Sequence, residues 1–133
     1  LMTHPIMFDE GDELLAQVRR VCLSLPGAAE KISHGRPNFF TKRVFAVYGG
    51  VVKGDHHSPA YDQSVLLLPD PDEADALAGD PRFFTPAYYG PYGWIGLDLT
   101  AAPVDWAEVR ELVEDSFRLT APKTLVKALD EGR

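Results

Sequence analysis

Cysteine is nearly missing from this chain. Cys22 is the single one in 133 residues, so no internal disulfide can form, and no Cys/Cys or Cys/His spacing resembles a zinc site. A reducing cytosol fits this usage best. Long apolar runs are missing too: nothing reaches the length of a membrane span. Leu1 to Phe8, with His4 and Pro5 among them, form neither a basic leader nor an apolar one. The expectation is a cytoplasmic chain with no membrane contact, and Leu1 ahead of Met2 reads as a cloning remnant or a frayed start. Positive charge is in short supply as well. Thirteen Lys and Arg stand against 20 Asp and Glu, a formal net charge of −7, which repels phosphate backbones at long range. Gly-x-Ser-x-Gly does not occur, and no strand leads into a Gly-rich phosphate loop. No catalytic residue and no cofactor are therefore assigned, and a binding module is expected ahead of an enzyme.

What is there is an ordinary globular balance, 45% hydrophobic and 25% charged, too apolar for a disordered chain. A chain of this length buries roughly two-thirds of its unfolded surface around one core, and no linker or repeat divides it, so residues 1–133 are expected to form a single domain.

Hydrophobic spacing orders the elements. Leu14, Leu15, Val18, Val21, Cys22 and Leu25 recur at helical intervals, with Asp9 or Asp12 as the cap and Pro26-Gly27 as the stop. Cys22 lies on that apolar stripe and reads as a buried structural thiol. Asn38–Thr41 and Arg43–Tyr48 are aromatic and β-branched. Gly49-Gly50 then reads as a turn from which Val51–Lys53 resumes as a strand. Residues 54–62 read as a loop, Ser64–Leu68 as a buried strand. Asp70-Pro71-Asp72-Glu73 supplies a cap, a first-position proline and a third-position carboxylate for a short helix ending at Gly79. Phe83–Tyr89, broken by Pro86, reads as an edge strand or irregular segment, and Trp94–Leu99 as a strand with Ile95, Leu97 and Leu99 on one face. Asp105 caps a long helix, with Glu108 reaching back and Val104 stapling to Val109. Val109, Leu112, Val113 and Phe117 form its buried stripe. Ala121-Pro122 interrupts it, and Leu125, Val126 and Leu129 continue as a terminal turn or helix. The economical architecture is a two-layer α+β fold, an antiparallel sheet with helices packed on one face.

Four groups of residues are candidate sites. Ser33-His34-Gly35-Arg36-Pro37 puts an imidazole and a guanidinium on a stiffened turn that could hold an anion; alternatively Ser33 and His34 close the turn and Arg36 pairs with a carboxylate, Glu30 being the obvious partner. The stretch Lys31–Gly54 carries Lys31, Arg36, Lys42, Arg43 and Lys53 and no carboxylate, so it would build any basic patch, or else a solvated hairpin surface. Tyr88, Tyr89, Tyr92 and Trp94, spaced by glycines and Pro91, can stack on flat rings or cover the end of the sheet, with Trp94 in the core. Lys123, near a helix start where it does not complement the dipole, is available to a ligand or an acidic neighbour. Asp55-His56-His57 lacks a second cluster, and its adjacent histidines would point apart in a strand-like segment, so no metal site is assigned.

Three stretches in order resemble the MmcQ/YjbR-like family: Leu25-Pro26-Gly27 with Glu30 and Ser33 to Phe39; Tyr89-Gly90-Pro91-Tyr92-Gly93-Trp94-Ile95-Gly96; and Asp105-Trp106 through Phe117 to Lys123. The likeness runs over about residues 12–126. It implies the order α-β3-α-β2-α, in agreement with the reading above, and an uncharacterised function for which DNA binding has been suggested from a double-wing analogy. Tyr92 and Thr124 stand where the family commonly carries basic residues, which removes positive charge.

Three functions follow as expectations. The first is a non-enzymatic binding module touching nucleic acid through the cationic stretch and the aromatic loop. The second is a binder of a small anionic ligand, or an enzyme, with a cleft between the His34–Arg36 turn and the Tyr89–Trp94 loop. The third is a protein-interaction domain marked by an exposed apolar patch. A deep pocket with His34 and Arg36 facing inward favours the second, and a convex basic ridge the first.

Overall fold

A computed structural model describes residues 5–132; Leu1 and His4, and the readings made of them, lie outside the described residues. Helix α1 spans Glu13–Leu23 because the Asp12 carboxylate accepts from the Leu14 N–H at 2.9 Å and Leu15, Val18, Val21 and Cys22 share its buried side. Strands β1 (Ala29–Ser33), β2 (Arg36–Phe40), β3 (Val44–Tyr48) and β4 (Ser64–Leu67) follow. Then come helix α2 (Ala74–Ala78), strands β5 (Phe83–Phe84) and β6 (Ile95–Asp98), and helices α3 (Trp106–Thr120) and α4 (Lys123–Glu131). The six strands form one antiparallel sheet in the order β1-β2-β3-β4-β6-β5. The fold is α+β, with one strand and one helix more than the expected order.

Strand alternation divides the sheet into two faces. Registered across β2, β3, β4 and β6, Phe39, Ala46, Leu67 and Ile95 lie in one row toward α1 and α3. The next row, Asn38, Val47, Leu66 and Gly96, points to the other side. The helix side holds the core. There the Phe117 ring meets Phe45 edge-on, centroids 5.5 Å apart, and the Ser116 hydroxyl donates to the Phe45 carbonyl at 2.6 Å while accepting from the Leu68 N–H at 3.0 Å. This pins α3 to β3 and to the end of β4. The helix-free side is covered by the loops 49–63 and 85–94. They are joined where Ala87 N–H donates to the Val51 carbonyl, and the first is held to β5 where the Tyr61 ring stacks on Phe84 at 3.9 Å. Phe84 lies over Gly96, where any β-carbon would strike the ring.

Several expectations need correction. Ala29–Ser33, given no element in the sequence reading, is an edge strand, and the turn expected over Ser33–Pro37 narrows to His34-Gly35, the two-residue hairpin turn to β2, both residues at positive φ (53° and 79°) as that turn requires. Val51–Lys53 is no strand: beyond Gly49-Gly50 only an isolated bridge, Val52 to Asp55, forms, and β3 pairs instead with β4. Asp70 does not cap α2, whose cap position is Glu73 without a side-chain bond; Asp70 holds the Asp72 N–H in a preceding turn. Asp105 caps α3 through the Ala107 and Glu108 N–H groups, but Glu108 does not reach back, because Arg82 grips its carboxylate through both guanidinium nitrogens at 2.6 and 3.0 Å. A forked, charge-assisted pair outcompetes the reciprocal half of the capping box.

Candidate ligand-binding site

Residues from two of the candidate groups, the hairpin turn and the aromatic loop, meet in one place. Arg36 opens β2 on the helix-free face, His34 occupies the hairpin turn before it, and Tyr89 comes from the loop ahead of β6; all three line a cavity of about 600 Å³. Its floor is the outward row of the sheet, Val47 and Leu66, with Gly49 and Gly50 beside them. His56, His57 and Val51 close it from the loop after β3, Ala87 and Tyr88 from the loop after β5, and Pro5 and Met7 from the segment before α1. That segment is fixed to the hairpin turn by the Met7 N–H, which donates to the Gly35 carbonyl at 2.9 Å. The volume falls within the range of small-molecule sites, roughly 300–1,000 Å³.

Arg36 dominates the electrostatics. Its side chain is only 9% exposed, and one guanidinium nitrogen, Nη2, donates to Asp62 at 3.1 Å. Nη1 is enclosed and meets no acceptor among the described residues. It packs over Gly49, where a β-carbon would collide with it; the glycine, at φ 85°, makes room for the guanidinium and takes a backbone conformation that other residues avoid. The Arg36 charge reaches Tyr89: burial raises the phenol above its usual range, and the guanidinium pulls against that rise. None of the 20 carboxylates of this acidic chain lines the cavity. Tyr88 stands at its mouth at φ 69°, a conformation rare for a bulky residue, with its hydroxyl 3.1 Å from His56 Nδ1.

The anticipated Glu30 partner of Arg36 is corrected. Glu30 is registered opposite Phe39, on the helix side, where its carboxylate accepts from Arg19 Nε (2.9 and 3.1 Å) and Nη2 (2.8 Å) of α1, and Asp62 takes Arg36 instead. His56 and His57 do not point apart in a strand; both belong to a loop and border the same cavity. Among the described residues no group of three or more His, Cys, Asp and Glu side chains is arranged to hold a metal ion.

The remaining candidates lie elsewhere. Trp94, expected in the core, is half-buried and outside it, its ring 5.3 Å from that of Tyr89. Tyr92, on a short 3-10 turn, is 80% exposed and does not line the cavity. Lys42 and Arg43 are exposed on the β2–β3 turn, at the end of those strands away from Arg36 and Gly49. Lys53 is exposed in the loop beyond the other end, and Lys31 lies 4.8 Å over the Phe40 ring on β1. The cationic stretch is thus divided between both ends of the sheet. Lys123 begins α4 and borders a shallow depression whose rim also carries Asp130 and Glu131. Sequence reasoning missed Val47, Leu66, Ala87 and Asp62. Alternation along β3 carried the signal for Val47, which must face away from Ala46 and Tyr48.

The YjbR family model matches residues 23–119. Among solved structures, a Deinococcus radiodurans protein with a DUF419 domain is 20% identical and superposes with a TM-score of 0.62 over 89% of this chain and 86% of its own. No curated protein matches. Among the described residues, no helix is long and apolar enough to cross a membrane.

Proposed function

The chain belongs to the YjbR family, and from that premise we propose that it is a binding protein for a small organic molecule, held between the His34-Gly35 turn and the Tyr88-Tyr89 loop. The observation that carries this reading is the cavity itself: an apolar floor, aromatic walls and a single nearly buried guanidinium, drawn from five separate segments onto one face of the sheet. Such a combination of apolar surface and a few convergent polar groups is how small-molecule sites are built. It also gives the helix-free face a use that packing alone does not require. The nucleic-acid reading needs a continuous cationic surface, and the five cations that would supply it are split, one of them committed to Asp62 in the cavity.

Ligand-observed NMR with a set of small aromatic fragments tests the proposal. Binding is expected, and it is expected to vanish in Ala87→Trp, where an indole fills the cavity from the loop. Fragments that never bind, or that bind Ala87→Trp unchanged, would overturn it. In parallel, a mobility-shift titration with duplex DNA at low salt is expected to show no retardation. Retardation abolished by changing Lys42 and Arg43 to Ala would put the function at the other end of the sheet.

A further inference from the structure

We infer that the ligand is a flat aromatic monocarboxylate, its ring lying on the Val47–Leu66 floor beside Tyr89 and its anionic end turned toward Arg36. This rests on the cavity reading above and adds the chemical class. Charge argues for the anion. Arg36 is nine-tenths buried, its one acidic partner among the described residues, Asp62, is itself 40% exposed to water, and Nη1 likewise has no acceptor among them. A guanidinium so placed keeps an uncancelled positive potential, and low-dielectric walls without a carboxylate focus that potential into the cavity. Nη1 is enclosed, so the anion is drawn by the charge of the whole group and by the part of Arg36 that borders the cavity.

The charge count argues for one negative charge and against two. Among the described residues Arg36 is the only Lys or Arg lining the site, and it already shares its charge with Asp62. Phosphate sites use more than this: a helix N-terminus, a run of backbone N–H groups or several cations. A phosphate dianion would bring a second charge that no second Lys or Arg among the described residues meets, leaving it to the His34, His56 and His57 imidazoles and the tyrosine hydroxyls of the walls. Shape argues for a ring. Val47 and Leu66 give the floor its apolar character, Tyr89 borders it with an aromatic ring, and Gly49 and Gly50 beside them add no side chains of their own.

Isothermal titration of the unmodified chain with 2-naphthoate, its neutral isostere 2-naphthamide and 2-naphthyl phosphate, at pH 8, tests the inference. Naphthoate is expected to bind at least about tenfold more tightly than naphthamide, because only the anion answers the buried charge, and more tightly than the phosphate. Equal affinities for naphthoate and naphthamide would overturn the monocarboxylate and leave the cavity reading standing. Tighter binding of the phosphate would likewise overturn it. No binding by any of the three would overturn both. Arg36→Met is expected to erase the preference for the acid over the amide, and a preference that survives in that variant sinks the role of Arg36. Should Arg36→Met fail to fold, Asp62→Asn tests the same charge from the other side. Removing the competing carboxylate is expected to raise naphthoate affinity several-fold and leave naphthamide unchanged, and an unchanged or weaker naphthoate affinity would overturn the inference.

Discussion

The Tyr48 hydroxyl, from the end of β3, donates to the same Asp12 carboxylate that caps α1. One carboxylate therefore ties the first turn of the helix to the middle of the sheet, with Gln63 as a further donor at 3.1 Å. Tyr48→Phe keeps the ring in its fully buried place and removes this link alone. It is expected to cost about 1–2 kcal/mol, the range of a hydrogen bond to a charged acceptor less the phenol's desolvation. Urea denaturation checks it, through a lowered midpoint at unchanged slope.

The same phenol makes the fold sensitive to alkali. Burial, reinforced by the bond to Asp12, raises Tyr48 well above the usual tyrosine range, and burial likewise pushes the Cys22 thiol far up. Both groups are neutral in the native state and ionise more readily in the unfolded chain. Their contribution to stability is thus fully present below the unfolded values, about 8.5 for Cys and about 10 for Tyr, and is lost as pH rises beyond them. Stability measured by urea denaturation at stepped pH should begin to fall above about pH 8.5. In Cys22→Ala, whatever its stability at pH 7, the onset should move up toward the tyrosine range. An onset unmoved by that substitution would remove Cys22 from the explanation.

Cys22 should also be chemically silent. It is fully buried among the core residues of α1 and its thiolate is disfavoured, so 5,5′-dithiobis(2-nitrobenzoate) should leave the native chain unlabelled and react once urea unfolds it. Rapid native labelling would mean that this part of α1 opens far more readily than its packing implies.

Asp105→Ala should lower stability by about 0.5–2 kcal/mol, since it strips the acceptor from the Ala107 and Glu108 N–H groups at the start of α3. Asp105 does not line the cavity, so ligand affinity measured on the folded fraction should stay at the wild-type value. A midpoint that does not move would refute the capping role.

Most of this fold could be read from local signals because most of its elements satisfy themselves locally. α1 and α3 carry an apolar stripe and an acidic cap, and β4 is an unbroken apolar run. β1 escaped because Ala29-Glu30-Lys31-Ile32-Ser33 is an edge strand with a single large apolar residue, and its pairing comes from β2 instead of its own pattern. Gly49-Gly50 misled because a glycine pair looks the same whether it turns a hairpin or begins a long loop, and only the pairing of Val47 with Leu66, 19 positions on, decides between them. The site divides in the same way. His34, Arg36 and Tyr89 were visible as chemistry on turns. The floor beneath them, and the choice of Asp62 over Glu30, depend on which sheet face each side chain takes, and a shift of one residue in register reverses that.

Gly49 provides the closing test, because backbone and site meet there. At φ 85°, with Arg36 Nη1 occupying the space a β-carbon would need, Gly49→Ala meets two penalties at once. The left-handed backbone alone should cost about 1–2 kcal/mol. The methyl group must also push the guanidinium aside, which breaks its bond to Asp62 or moves its charge within the cavity. The expected result is a lowered urea midpoint together with a changed ratio of naphthoate to naphthamide affinity in the protein that remains folded. Gly54→Ala is the control: it has nearly the same φ, 86°, with nothing within 4 Å of the added carbon. It should show the backbone cost and leave the affinity ratio untouched. If the two variants behave alike in both measurements, the contact between Gly49 and Arg36 has no part in shaping the site.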